Sequence, residues 1–167
     1  MSIRPTLVGA CGKVTDTYTA ENLGIGSVDI TKKKYSIAVG SIREENGRAY
    51  KLVKANEAIT VNDGVTYTIS DTTLTTIERA DAVGEHIVGV AETAIASGEY
   101  GWITIEGQAE ATVADGTAVA LALGASAVDG VLATPANTVV ACLRAIAVDA
   151  NSSGAAAVRT VLLLPGI

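Results

Sequence analysis

GVAETAIASGEYGWITIEGQA, residues 89–109, reads as a strand, a glycine-bearing loop and a second strand. In WITIE (102–106), Ile103 and Ile105 fall on one side while Trp102, Thr104 and Glu106 fall on the other. That period of two predicts a half-buried strand. Val, Ile and Thr suit a pleated surface because their branched side chains pack well there. The hairpin brings no reactive side chains together, so its purpose has to be sought in the rest of the chain.

The same plan recurs. ITVNDGVTYTI (59–69) aligns with ATVADGTAVAL (111–121) at an offset of 52, and HIVGVAETAIA (86–96) falls on TVVACLRAIAV (138–148) at the same offset. With a small change of length, YGWITIEG resembles VRTVLLLPG. Each unit holds a T-V-x-D-G turn, a strand, an irregular connection, a long strand, a glycine loop and a closing strand. The runs at 86–96 and 138–148 are apolar on both faces, which predicts central or subunit-buried strands.

Before the repeat, YSIAVGSI (35–42) and AYKLVKA (49–55) flank Asn46-Gly47, a pair that tolerates the positive φ of a tight hairpin turn. TTIERADAV (75–83) is expected to form one short helix, with Thr75 and Glu78 spaced as a capping box. TAVALALGASA (117–127) suits either a buried helix or a strand. Residues 1–34 show no sustained period and read as an extended or partner-ordered arm. Many short strands with regular turn signals predict an all-β domain, a small sandwich or barrel-like body.

Composition narrows the function classes. The chain has 167 residues, 49% of them hydrophobic, yet only 4% aromatic with no Phe. A core of Ala and Val buries little area per side chain, and apolar gain scales with area at roughly 25 cal/mol per Å². Association is one remedy, so an oligomer is expected. There is no apolar run of transmembrane length and no secretory h-region at the start. Residues 1–54 hold nine of the twelve Lys and Arg and five acids, a formal +4, leaving −10 for the remainder and −6 overall. A basic front on an acidic body lacks the basic stripe with interleaved aromatics that a nucleic-acid binder shows.

The residues that carry chemistry elsewhere are sparse here. Cys11 and Cys142 give neither a metal-ligand spacing nor a disulfide framework, and Cys142 is expected to be buried and unreactive. His86, the only histidine, precedes an apolar strand and is read as a strand-end or surface imidazole. Asp63-Gly64 and Asp115-Gly116 lack the run of oxygen donors of a calcium loop and read as turn formers. Glu44 and Glu45, adjacent on a hairpin end, should point to opposite faces, a poor arrangement for paired-carboxylate catalysis. There is no GxGxxG, P-loop or G-x-S-x-G, and Gly24-x-Gly26 lacks the strand–helix setting that gives phosphate-binding glycines meaning. The expectation is a non-enzyme with no metal and no cofactor.

HIVGVAETAIASGEYGWITIEGQAEATVADGTAVAL (86–121) resembles the recurrent pattern of tailed-bacteriophage head decoration, or capsid cement, proteins. The resemblance covers about residues 50–167 and rests on Gly89-Val90-Ala91, Gly98, the strand Trp102–Glu106, Gly107, and Val113 with Asp115-Gly116. It implies a β-rich, β-tulip-like protein that sits as homotrimers on the outer surface of the phage head, at three-fold positions, and reinforces the shell. Its partners would be the major capsid protein and further copies of itself, with no nucleic acid and no membrane. Residues 1–48 would form a capsid-binding arm with the first hairpin strand, and 49–167 the decoration domain with the repeat. Arg4, Lys13, Lys32, Lys33 and Lys34 are the candidate capsid contacts. Two alternatives are another phage structural β-module, such as a head fibre base or a tail-associated unit, and an adhesin-like carbohydrate-binding sandwich.

Overall fold

The computed structural model describes residues 13–23, 37–68, 70–83, 85–134 and 145–165. Arg4, Cys11, Lys32, Lys33, Lys34 and Cys142 lie outside them, so the expectations placed on those residues do too.

The chain is all-β, as its sequence predicts. Among the described residues ten strands follow in order: β1 (Ile42–Glu45), β2 (Arg48–Ala55), β3 (Gly64–Tyr67), β4 (Thr76–Arg79), β5 (Gly89–Ala91), β6 (Tyr100–Val113), β7 (Ala122–Ala125), β8 (Leu132–Ala133), β9 (Ala145–Ala147) and β10 (Ala157–Leu163). The single described helix is one turn, α1 (Ala20–Leu23). No helix among the described residues is long and apolar enough to cross a membrane.

The strands form one sheet in the order β1-β2-β4-β3-β5-β6-β10-β9-β7-β8, and two further pairings, β2–β6 and β6–β8, close it on itself twice. The first ring is β2-β4-β3-β5-β6 and the second is β6-β8-β7-β9-β10, with the 14-residue strand β6 shared between them. Each ring is a five-stranded barrel. Closure removes the unpaired edges that expose strands to further pairing.

The two rings pair in corresponding ways, at a spacing different from the 52 of the sequence pattern. Leu52 pairs with Trp102 and Tyr50 with Thr104, while Glu110 pairs with Thr160 and Gln108 with Leu162, each pair lying 58 residues beyond its counterpart. The short parallel contacts correspond in kind, Ala55 with Ile77 and Val113 with Leu132. So do Gly64 with Val90 and Ala122 with Ile146, although shorter loops bring Leu132 to 55 residues beyond Ile77 and Ile146 to 56 beyond Val90. The offset of 52 lines up the two Asp-Gly turns, but in the fold Asp63-Gly64 corresponds to Leu121-Ala122. Asp-Gly marks a turn wherever one is needed, so two such pairs can match as residues without matching in position.

The interiors follow this register. Val53, Ala55, Val65, Ile77, Ala91 and Ile103 fill the first barrel. Their counterparts Ala111, Val113, Leu123, Leu132, Ala147 and Val161 fill the second, which also takes in Ala80, Ile87 and Val90 from the first. The smaller side chains of the second interior are thus supplemented by its neighbour. Backbone bonds close the seam: Gly64 N–H to Gly130 O (2.7 Å), Gly130 N–H to Ala80 O (3.0 Å) and Thr112 N–H to Asn62 O (2.9 Å). Arg79 spans it, pairing with Asp129 (3.1 Å) on one side and Glu57 (3.3 Å) on the other.

Local expectations divide. The first hairpin turns where read, around Asn46 (φ 52°) and Gly47 (φ 76°), and pairs Ile42↔Lys51 to Glu45↔Arg48. Its first strand is Ile42–Glu45 and not 35–42, since residues 37–41 form a turn and irregular backbone. The 89–109 hairpin forms too, with Val90↔Thr104 and Ala91↔Ile103. The apolar run at 86–96 is buried over 87–91 and at Ile95, with Ala94 and Ala96 exposed, and its strand is only three residues, β5. Residues 75–83 are not helical: Thr76–Arg79 is β4, antiparallel to β3 and parallel to β2. Ile77 fills the first barrel there, a tertiary gain that one capping box cannot match. TAVALALGASA resolves as a turn followed by β7.

Candidate interaction surface

The outer face of the first barrel is not open. Trp102 and Thr104, expected on the solvent side of a half-buried strand, are 1% and 0% exposed. Tyr18, Leu23 and Ile37 cover that face, packing on Tyr50 and Leu52 of β2 and on Tyr100 and Trp102 of β6. Residues 13–23, which the sequence reading assigns to the arm, therefore lie on the body. Tyr18 exchanges backbone hydrogen bonds with Tyr100, both 2.8 Å. The Trp102 indole Nε1–H donates to the Tyr18 hydroxyl (3.2 Å), which also lies 3.4 Å from the Lys13 carbonyl. Thr19 caps α1, its hydroxyl accepting from the Asn22 amide at 3.3 Å. The sequence signal was faint: one tyrosine and one leucine in a stretch with no period.

Among the candidate contacts, Lys13 is the one described. It is exposed at the edge of this cover, in a turn closed by its amide to the Asp16 carboxylate (2.7 Å). His86 is exposed at the approach to β5. Asp63 is buried and shapes a turn by accepting from the Thr60 amide (2.8 Å), and its burial pushes the carboxyl above its usual range despite that bond. Asp115 accepts from the Gly154 amide (2.9 Å). Both Asp-Gly pairs thus work as turn formers. Among the described residues no three His, Cys, Asp or Glu side chains gather where they could hold a metal ion.

Two shallow grooves flank the β1–β2 turn. One is lined by Glu44, Glu45, Arg48 and Glu106, the other by Arg48, Tyr50, Gly107, Gln108 and Leu162. The second groove runs from the covered face of the first barrel to the outer face of the second. Neither brings together a nucleophile, a base and an orienting group, the arrangement covalent catalysis needs.

The loop between β3 and β4 is tied down by one carboxylate. Asp71 accepts from the amides of Thr73 (2.8 Å), Thr75 (2.7 Å) and Thr76 and from the Thr73 hydroxyl (2.6 Å). The Thr73 hydroxyl first, then these amides, hold its carboxyl well below the usual aspartate range. Lys51 braces the loop, its ammonium donating to the Tyr67 hydroxyl and the Leu74 carbonyl, each at 2.7 Å.

No family model matches the chain, and no curated protein matches it by sequence. Its fold is similar to that of the N base of the head fiber protein gp8.5 of bacteriophage phi29, seen in a crystal structure. The match has a TM-score of 0.52 at 15% identity and covers 70% of this chain and 93% of that one.

Proposed function

We propose that this chain is a structural protein of a tailed-phage head, a decoration protein that binds the outer surface as trimers at three-fold positions and stabilises the shell. The observation that carries the proposal is the fold likeness to a head fiber base, which extends over nearly all of that base. The sequence resemblance to decoration proteins supports the same location independently. In this reading the chain is not an enzyme, its partners are the major capsid protein and its own copies, and stiffness is the useful property. Two closed barrels sharing one strand supply that stiffness.

The same likeness favours a second reading, in which the two barrels are the base of a longer fibre anchored on the head. Either role places the protein on the capsid exterior. The test is co-sedimentation of the purified chain with expanded heads that lack it. The proposal expects saturable binding and heads that withstand heat or chelator better when decorated. Failure to bind expanded heads under any salt condition would overturn both readings.

A further inference from the structure

The two barrels carry equivalent outer faces, and among the described residues only one is covered. Tyr100, Trp102 and Thr104 of the first barrel are at most 6% exposed. Their counterparts 58 residues on are Val158, Thr160 and Leu162, and Val158 and Leu162 are 43% and 37% exposed. The pairing places these residues in continuous rows. Leu162 stands between Ile146 of β9 and Gln108 of β6, and Val148, 38% exposed, bonds through its amide to Thr160 O at 2.9 Å. Ile146, Val148, Val158 and Leu162 thus make one apolar patch on an antiparallel sheet; Val61, Leu74, Val83, Val119 and Val128 are exposed elsewhere, but on turns and loops away from these paired rows.

We propose that this face is covered by a second copy of the same chain, whose basic N-terminal half docks on it head to tail. Charge chooses the occupant. The patch is bordered by Glu106, Glu110 and Asp149 in the part of the chain with formal charge −10, whereas residues 1–54 carry +4, including the exposed Lys13 and Lys54. Two copies of the acidic face would repel each other, while opposite halves attract and steer the encounter. The groove of Tyr50, Gly107, Gln108 and Leu162 makes the patch continuous with the face that the N-terminal residues cover within one chain. A head-to-tail contact between unlike patches closes into a ring when its rotation allows. This names the self-contact that a trimer needs, so it rests on that part of the reading above.

The test uses the full-length chain. A photo-crosslinking residue at position 162, in a mixture of isotopically heavy and light chains, is expected to link to residues 13–54 of another copy. Leu162→Asp and, separately, Val158→Lys are expected to weaken association roughly 30-fold in sedimentation, with unchanged circular dichroism and, at concentrations where the native chain is dissociated, unchanged melting. Glu110→Lys is expected to weaken it and to flatten its salt dependence. The inference is overturned by cross-links to the partner's second barrel, by cross-links confined to one chain, or by a native chain that is monomeric both free and on heads. A chain that self-associates through this face but ignores heads sustains the inference and defeats the head-surface reading. A chain that decorates heads as isolated monomers does the reverse.

Discussion

The first and second barrels have the same pairing register and opposite surroundings. Leu52 and Trp102 face each other under a lid of the chain's own Tyr18 and Leu23, while the corresponding pair, Glu110 and Thr160, faces outward. One framework therefore supports either a face covered by its own chain or one left open to another copy, and the outward residues decide which. Aromatics at 50, 100 and 102 require a cover, because each buried aromatic contributes a large apolar area. Gln108, Glu110 and Thr160 require none from the same chain. Most of the chain's few aromatic residues are spent on this one cluster, which explains how a molecule with no Phe still holds a substantial side-chain core.

Removal of the lid should have the largest effect. Deleting residues 1–23 takes away Tyr18 and Leu23 and exposes Leu52, Tyr100 and Trp102. The expected loss exceeds about 5 kcal/mol, given roughly 1.5–3 kcal/mol for each large apolar side chain returned to water. Denaturant unfolding should show the first barrel melting early. If the basic arm contributes to head binding, replacing Arg4, Lys32, Lys33 and Lys34 by Gln should weaken co-sedimentation, most at low salt where charge is least screened. A deletion to residue 34 mixes the two effects, because it removes the lid together with the arm.

A single substitution sharpens the contrast. Trp102→Ala should cost about 3–5 kcal/mol, the usual range for emptying a buried aromatic site. Thr160→Ala, at the equivalent place on the second barrel, should stay within about 0.5 kcal/mol, as surface changes do. Equal effects would mean that the two faces are not differently covered.

The seam between the barrels comes next. A Cβ at Gly130 would lie 2.5 Å from the Asp63 carboxylate, on a backbone with φ of +70°. Gly130→Ala should therefore destabilise by about 2–3 kcal/mol, combining left-handed strain with overpacking. The check is a lower denaturant midpoint, with the two barrels uncoupling into separate transitions.

The sequence was most informative where structure is local. Asn46-Gly47 dictated the first hairpin, and the glycine-bearing loop before WITIE dictated the second. Three things were hidden. The lid over Trp102 comes from residues some 80 positions earlier, so alternation within β6 made its outward side look wet. β4 carries a helix-like Thr-x-x-Glu, and only its long-range pairing with β2 and β3 makes it a strand. The register of the repeat was obscured because both copies are built of Ala, Val, Gly and Thr, which match at several offsets. Of the candidate surface, the polarity between a basic front and an acidic body was legible. The bare patch at Ile146, Val158 and Leu162 was not, since it is defined only against its covered twin.

The smallest effect expected is an acid-sensitive one, at the loop that the first barrel has and the second replaces with Ser126–Val131. Folding lowers the Asp71 carboxyl below its ordinary 3.8. The stabilisation from its hydrogen bonds is therefore fully present above that value and fades as pH falls below it. Asp71→Asn should lower the melting temperature at pH 7, and the gap from the native chain should close on acidification through pH 4 and below. A gap that stays constant across that range would show that the carboxylate charge is not what holds the loop.

Cryo-microscopy of decorated heads tests the central claim most directly. The account expects extra density on the outer surface at three-fold positions, fitted by two fused five-stranded barrels, with each second-barrel face against the N-terminal half of a neighbouring copy. Density confined to the tail or the interior, or heads indistinguishable from undecorated ones, would contradict it.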